Sequence, residues 1–328
     1  MISAFRNFNP LNVIWLIVLL VALRVCYLFR GPDQVEFILA ESFARSLLPF
    51  TYGHLLPLPL DMALAAIIVL IQALLLNYLV NFYNLLNKSS FLPALMYITV
   101  SGLFTPFLIL SPPLICNFLV IWMLFKLLSF YKSTDVKSTT YDLGMIVALG
   151  SIFYLPYIYF FVVIWAALLI FRPFDWRDWA AALMGYITIF FFLAVFYYLT
   201  GHLHDFYKIW APLGTRFPDR ININYDNYLL LIPVIIIFIL CLFKLRGNFF
   251  RSYILVRKTF QLLFLSFIIA GLAFYVKADF RLNHFLLCAV PAAIFFSYYF
   301  LYATRKWFYE SLYFLLFIGI IYFQFNTF

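Results

Sequence analysis

Charge is scarce in this chain of 328 residues: Asp, Glu, Lys and Arg together make up 11%, against about 25% in a typical soluble domain. Hydrophobic residues make up 66% of the chain, and a soluble fold has too little interior to bury that share. Lipid is therefore the expected solvent for most of the surface. The composition excludes a soluble enzyme and a soluble binding domain.

The apolar runs also lack the alternation with a period of two that is typical of strands in membrane β-barrels. Leu114–Phe125 is interrupted only by Asn117, and Tyr228–Phe243 only by Pro233. In lipid the backbone must satisfy its own hydrogen bonds, which leaves α-helices as the better interpretation. The sequence predicts an all-α, polytopic integral membrane protein with a single transmembrane domain over residues 1–328.

Cysteine is rare as well, with four residues that all lie in apolar runs. None has the spacing of a metal site or lies in an exposed loop, so we interpret them as small buried hydrophobic residues. The net charge is +9, but no loop joins a basic cluster to base-stacking aromatic residues. Nucleic acid is therefore not an expected partner, whereas membrane lipids are.

Eleven runs are long or apolar enough to be predicted as spans, by the rule of about 20 residues per crossing. Their approximate bounds are 11–29, 59–83, 91–110, 113–130, 141–154, 156–171, 179–199, 228–244, 259–276, 283–302 and 309–326. The segment 141–171 is interpreted either as two short spans that meet at Leu155-Pro156 or as one kinked span. No small-x-small cleavage site follows the first run, so it is predicted to remain as a span.

Lys and Arg are divided unevenly between the two sides that these spans define. With the N-terminus in the cytoplasm, 14 of the 22 Lys and Arg residues are cytoplasmic, and 8 of the 13 Asp and Glu residues are outside. Cytoplasmic loops are enriched in Lys and Arg, so the sequence predicts an N-in, C-out topology. One span over 141–171 would break the alternation, so the charges favour two.

Two long loops, 30–58 and 200–227, fall on the outer side. In the first, the apolar residues that follow Asp33 have the spacing of an amphipathic helix lying in the membrane interface, with Asp33 at its N-cap. The second contains His202-Leu203-His204-Asp205, a weak metal-binding pattern. It also contains Arg216 and Arg220, which either bind phosphate through paired hydrogen bonds or are solvated.

Arg24 lies inside the first predicted span, near its outer end. A charge within a span either faces the protein interior or extends along the helix to reach the interface. The second interpretation is favoured by the short distance to the outer end.

Two short stretches resemble the membrane-embedded, C-type-fold glycosyltransferases that use polyprenyl-phosphate-linked sugars. They are Pro32-Asp33-Gln34-Val35-Glu36-Phe37, followed by 40–50, and Lys277-Ala-Asp-Phe-Arg281-Leu-Asn-His284, followed by Pro291. The resemblance implies that Asp33 is the catalytic base or a carboxylate that binds a divalent metal, with Glu36 and Glu41 as further candidates. It also implies that Arg281, with Lys277 and His284, contacts the lipid-linked phosphate.

The whole chain also resembles uncharacterised multi-pass proteins of the bacterial inner membrane. The most distinctive residues are Tyr141-Asp142-Leu-Gly144, 153–156, Arg172 to Trp179, and Gly185. This resemblance implies a location but no activity.

Three functions are compatible with these features. The first is a membrane glycosyltransferase that uses a lipid-linked sugar at the outer face, with Asp33 as base and Arg216, Arg220 and Arg281 binding the phosphate. The second is a non-catalytic scaffold or accessory subunit of an envelope assembly, with a membrane protein as partner. The third is a transporter or flippase, which the lack of charges at mid-membrane disfavours.

Overall fold

The computed structural model describes residues 1–30, 34–36, 55–130, 136–210, 229–248, 253–273 and 282–326. The described residues are almost entirely helical. The helices are α1 (Ile2–Phe5), α2 (Asn12–Arg30), α3 (Leu58–Phe82), α4 (Leu92–Val100), α5 (Pro112–Ser129), α6 (Val136–Phe153), α7 (Phe160–Phe171), α8 (Trp176–Leu199), α9 (Leu203–Lys208), α10 (Leu231–Asn248), α11 (Ile254–Leu272), α12 (Ala289–Tyr302) and α13 (Lys306–Asn326). Turns of 3-10 helix cover Thr105–Phe107, Leu155–Tyr159 and Leu282–Cys288.

Two short strands lie where the predicted outer loop 30–58 joins the helices. Strand β1 (Gln34–Glu36) pairs antiparallel with β2 (Leu55–Pro57), so that Gln34 lies opposite Pro57 and Glu36 opposite Leu55. The prediction of a helix that starts at Asp33 is therefore wrong for residues 34–36, where strand pairing satisfies the backbone instead. The rest of the predicted interfacial helix lies outside the described residues.

Eight helical segments in the described part of the chain are long and apolar enough to cross a membrane. They are Asn12–Phe29, Leu58–Phe82, Pro112–Ser129, Trp176–Leu199, Leu231–Asn248, Ile254–Leu272, Leu282–Tyr302 and Lys306–Gln324. The fold is thus that of an all-α, polytopic membrane protein, as the composition predicts. Each of the eight corresponds to a predicted span, with bounds that differ by several residues.

The other three predicted spans take different forms. In place of a span over 91–110, α4 is nine residues long, about 14 Å at the rise of an α-helix, and a 3-10 turn follows it. The segment 141–171 is broken, because α6 ends at Phe153 and the turn Leu155–Tyr159 precedes α7. Pro156 lies in this turn, and the interpretation of 141–171 as two short spans stays a prediction.

Helices α4 and α12 form the centre of the bundle. Every residue of α4, and all but the last residue of α12, is buried. The two helices pack against each other, and α3 and α10 pack around them. A helix that is apolar on all faces has no polar side to present to solvent, which explains why both are enclosed by other helices.

The bundle has two opposite ends, at which its long helices begin or end. At the end that we call the N-side, the ammonium of Met1 lies 2.8 Å from Glu310 Oε2 and Lys126 Nζ lies 2.8 Å from Asp142 Oδ2. All of these groups belong to the side predicted to be cytoplasmic. The opposite end, where α3 begins, is called the far side.

Candidate functional site

Most of the predicted site residues belong to segments that the structure does not describe. Six lie outside the described residues, namely Asp33, Glu41, Arg216, Arg220, Lys277 and Arg281. Glu36 lies in β1, where its backbone pairs with Leu55. These residues stay predictions. These six residues belong to three segments, one with Asp33 and Glu41, one with Arg216 and Arg220, and one with Lys277 and Arg281. The described helices show where each of these segments joins the bundle.

His284 is described, and it is buried with 2% of its surface exposed. Its Nε2 lies 2.8 Å from the carbonyl oxygen of Ala270, and its Nδ1 lies 2.9 Å from Tyr154 Oη. A carbonyl accepts only, so Nε2 carries a proton, and the Tyr154 hydroxyl donates to Nδ1 if the ring is neutral. His284 thus connects the 3-10 turn to the last turn of α11, and its predicted contact with phosphate stays a prediction.

Arg24 occupies the inward face of α2. Leu16, Leu20 and Leu23 lie on the same buried stripe, and Arg24 itself is only 4% exposed. The interpretation that Arg24 extends to the interface is therefore wrong, because the stripe faces the other helices. Its Nε and Nη2 atoms are buried and have no hydrogen-bond partner among the described residues.

The depth of Arg24 places it in the far-side half of the bundle. It precedes Arg30, the last residue of α2, by six positions, which is about 9 Å along the helix axis. An unpaired cation at this depth is costly, and intramembrane charges commonly belong to binding sites or ion pathways. The sequence shows that Arg24 is a charge within a predicted span. Hydropathy alone does not tell which face of the helix that residue occupies.

Asp61 is a second buried ionisable residue at the far side, and no pattern in the sequence singles it out. It lies in the first turn of α3 and is 1% exposed. Its Oδ2 accepts a hydrogen bond of 2.9 Å from the backbone N–H of Leu110. The carboxylate therefore holds the chain entering α5 against the start of α3, where the helix dipole also favours negative charge.

A cavity of about 40 Å³ lies at the far side, next to the turn at 103–106. This volume is enough for one or two water molecules. Leu230, which follows the predicted outer loop 200–227, and Leu282, which directly follows Arg281, both line it. The segments that carry Arg220 and Arg281 are therefore attached to the bundle at a common place.

Helix α2 approaches this cavity at Gly102, through Leu23. A Cβ atom on Gly102 would lie 3.4 Å from Leu23 Cδ1, so α2 packs closely against the residue that precedes the turn. On the other side, Gln324 Nε2 lies 3.4 Å from the carbonyl oxygen of Gly102. Gln324 also lines the cavity. Leu23 of α2 and Gln324 of α13 thus both contact Gly102, next to the cavity.

The Arg24 guanidinium suits an anion. Arg24 supplies donors only, and guanidinium groups match the geometry of phosphate. Within the described ranges, no group of three or more His, Cys, Asp or Glu side chains could hold a metal ion. His202, in the predicted metal-binding pattern, has its Nδ1 2.7 Å from the carbonyl oxygen of Thr200.

Residues 45–328 match a protein family that is described as a family of unknown function, DUF6427. No curated protein and no solved structure matches the chain. The family match agrees with the resemblance to uncharacterised multi-pass proteins and brings no glycosyltransferase similarity. Because the match covers most of its length, the chain belongs to the DUF6427 family of unknown function.

Proposed function

We propose that this protein binds the phosphate of a polyprenyl-linked sugar at its far side and transfers the sugar to an acceptor. The observation that supports this proposal is the Arg24 guanidinium, buried on the inward face of α2 with Nε and Nη2 unpartnered among the described residues. A phosphate would satisfy both donors through paired hydrogen bonds. The isoprenoid chain would remain in the surrounding lipid.

A buried cation without a partner destabilises a fold, because its desolvation is not offset. Such a group persists more readily when it has a ligand to bind. Arg24 therefore differs from Lys126, which pairs with Asp142, and from Arg6, whose Nη2 donates to the carbonyl oxygens of Phe300 and Ala303. Those two cations stabilise the N-side, whereas Arg24 is available for an anion.

The attachment points of the outer segments also support the proposal. Strand β1 directly follows Asp33 and is tied through β2 to the start of α3. Leu230 and Leu282 line the far-side cavity and follow the segments with Arg220 and Arg281. The resemblance to C-type glycosyltransferases assigns the base to the first of these segments and phosphate contacts to the last.

The proposed reaction is a substitution at the anomeric carbon of the sugar. The bond between that carbon and the phosphate oxygen breaks, and a bond to the acceptor hydroxyl oxygen forms. Asp33 takes the hydroxyl proton as general base. Arg24, with Arg216, Arg220 and Arg281, stabilises the negative charge of the departing polyprenyl phosphate.

The test uses the full chain in lipid nanodiscs with a polyprenyl monophosphate as probe. We expect Arg24→Met to weaken binding of the probe roughly 10- to 100-fold, the value of one or two charge-assisted hydrogen bonds. Arg24→Lys should recover part of it. The control is Arg177→Met, which removes an exposed arginine at the N-side and should bind as the wild type does.

A second variant separates binding from transfer. Asp33→Asn should retain probe binding and lose the release of polyprenyl phosphate from a lipid-linked sugar. Equal binding by Arg24→Met and wild type would contradict the proposed phosphate site. Full transfer activity in Asp33→Asn would contradict the proposed base.

A scaffold or accessory subunit is the second candidate function. It is favoured by two polar side chains, His284 and Asp61, that form hydrogen bonds within the fold. His284 bonds with Tyr154 and Ala270, and Asp61 with Leu110, as expected of groups that stabilise a fold. This candidate expects a membrane protein partner to remain bound in mild detergent. Recovery of the chain as a lone monomer would count against it.

A further inference from the structure

A second cavity, of about 480 Å³, opens at the N-side between α10, α12 and α13. Its walls combine apolar side chains with two cations. Among its lining residues are Leu240, Phe243, Lys244, Asn248, Arg305 and Phe308. It lies at the opposite end of the bundle from Arg24 and is separate from the proposed sugar-transfer site.

The two cations of this cavity have no carboxylate partner among the described residues. The ion pairs described at the N-side join Met1 to Glu310 and Lys126 to Asp142. Lys244 is half-buried and Arg305 is exposed. Both residues line the cavity. The cavity is therefore a region of positive charge that an anion could neutralise.

The apolar part of the lining faces the surface that spanning helices present to lipid. Phe243 and Phe308 are both exposed, at 68% and 43%. A second groove, of about 520 Å³, lies between α10 and α13 nearer the far side, and it is lined by apolar residues such as Pro233, Phe314 and Ile318. The two cations thus lie along the same pair of helices as an apolar groove.

We propose that the N-side cavity binds the headgroup of an anionic glycerophospholipid. Arg305 would bind the phosphate through paired hydrogen bonds, and Lys244 would act as a point charge. The acyl chains would lie against Phe243, Phe308 and the groove between α10 and α13. Basic pockets between transmembrane helices at the membrane surface are suited to such headgroups.

The lipid would also join two helices that make little contact of their own. Helices α10 and α13 pack against each other over a small area, whereas each packs more extensively against another helix. A phospholipid held by Lys244 of α10 and Arg305, next to the start of α13, bridges this gap. The site therefore anchors the helices on the N-side leaflet.

The experiment places the full chain in nanodiscs of phosphatidylglycerol and phosphatidylcholine in equal amounts and counts retained lipids by native mass spectrometry. We expect wild type to retain phosphatidylglycerol preferentially. Lys244→Ala/Arg305→Ala should weaken that retention about 10-fold or more, the value of one hydrogen bond from a charged group. The matched control, Arg246→Ala/Lys306→Ala, removes the same charge beside the same positions but outside the lining.

A further variant tests the cavity without changing charge. Gly247 lines the cavity, and a Cβ atom there would meet no atom within 4 Å, so Gly247→Leu should fold and reduce the retention of phosphatidylglycerol. Undiminished retention in Gly247→Leu would overturn the proposal. So would equal loss in the two double variants, or a wild type without preference for phosphatidylglycerol.

Discussion

Gly144 of α6 and Gly185 of α8 bring the backbones of these two helices into direct contact. A Cβ atom on Gly144 would lie 2.0 Å from the carbonyl oxygen of Ala182, and one on Gly185 would lie 2.0 Å from that of Tyr141. Small residues allow helices in membranes to approach closely, so that van der Waals packing holds them together. The contact between α6 and α8 is the most extensive contact between two helices in the described structure.

Gly144→Ala and Gly185→Ala should each destabilise the protein. The added methyl group collides with a backbone oxygen that cannot rotate away, so α6 and α8 must separate, at a cost of about 1–3 kcal/mol. Thermal unfolding in detergent measures the effect as a fall in Tm. Gly271→Ala is the matched control, because a Cβ there meets nothing within 4 Å.

The control should be neutral or slightly stabilising, since alanine is the better helix former by up to about 1 kcal/mol. If Gly144→Ala and Gly271→Ala had the same Tm, the close approach of α6 and α8 would be contradicted.

Tyr97 connects three helices through its hydroxyl group, at the centre of the bundle. The hydroxyl donates to Gln72 Oε1 at 2.7 Å and accepts from Asn117 Nδ2 at 3.2 Å. Tyr97→Phe leaves the buried Gln72 oxygen without this donor and should cost about 1–3 kcal/mol. Asn117 Nδ2 keeps its other bond, of 3.0 Å, to the carbonyl oxygen of Leu286.

Tyr157→Phe is the control for this prediction. Tyr157 is as buried as Tyr97, but its hydroxyl has no hydrogen-bond partner among the described residues. Removing that hydroxyl should therefore change the free energy of unfolding little. Equal destabilisation by Tyr97→Phe and Tyr157→Phe would mean that the network between α3, α4 and α5 contributes nothing specific.

Glu310 ties the N-terminus to the start of α13. Its carboxylate accepts from the Met1 ammonium at 2.8 Å, from Ser3 N at 3.0 Å and from Ile2 N at 3.2 Å. Glu310→Gln should release the first residues, and faster hydrogen exchange over residues 2–6 would report it. The pair is partly exposed, so global stability should fall by about 1 kcal/mol or less.

Asp142→Asn removes the other ion pair described at the N-side and is the control for Glu310→Gln. It should leave exchange over residues 2–6 unchanged. An equal rise in both variants would show that net charge, rather than the contact with Glu310, orders the N-terminus.

Hydropathy predicted the class of fold because the spanning helices are long runs that carry few charges. It failed over 91–110, where α4 is short and fully enclosed. A run that packs among other helices is as apolar as one that faces lipid, so composition cannot separate the two. Likewise, the spacing after Asp33 suited a helix, but pairing between β1 and β2 determines the backbone over 34–36.

The candidate site was less predictable than the fold. Arg24 was visible as a charge in a span, but its inward orientation depends on how α2 packs against its neighbours. Asp61 acquires its role only through Leu110, which is distant in sequence. The sequence predicts a phosphate contact for His284 because it lies close to Lys277 and Arg281. Its contacts with Tyr154 and Ala270 join residues that are distant in sequence, so no local sequence pattern predicts them.

The most direct test of the central proposal is an experimental structure of the full chain in a nanodisc that contains a polyprenyl monophosphate. We expect phosphate density within about 3 Å of the Arg24 guanidinium, at hydrogen-bond distance. We also expect the isoprenoid chain to extend into lipid from the far side. Density for the probe only at the N-side, or an Arg24 guanidinium paired with a carboxylate of the protein itself, would contradict it.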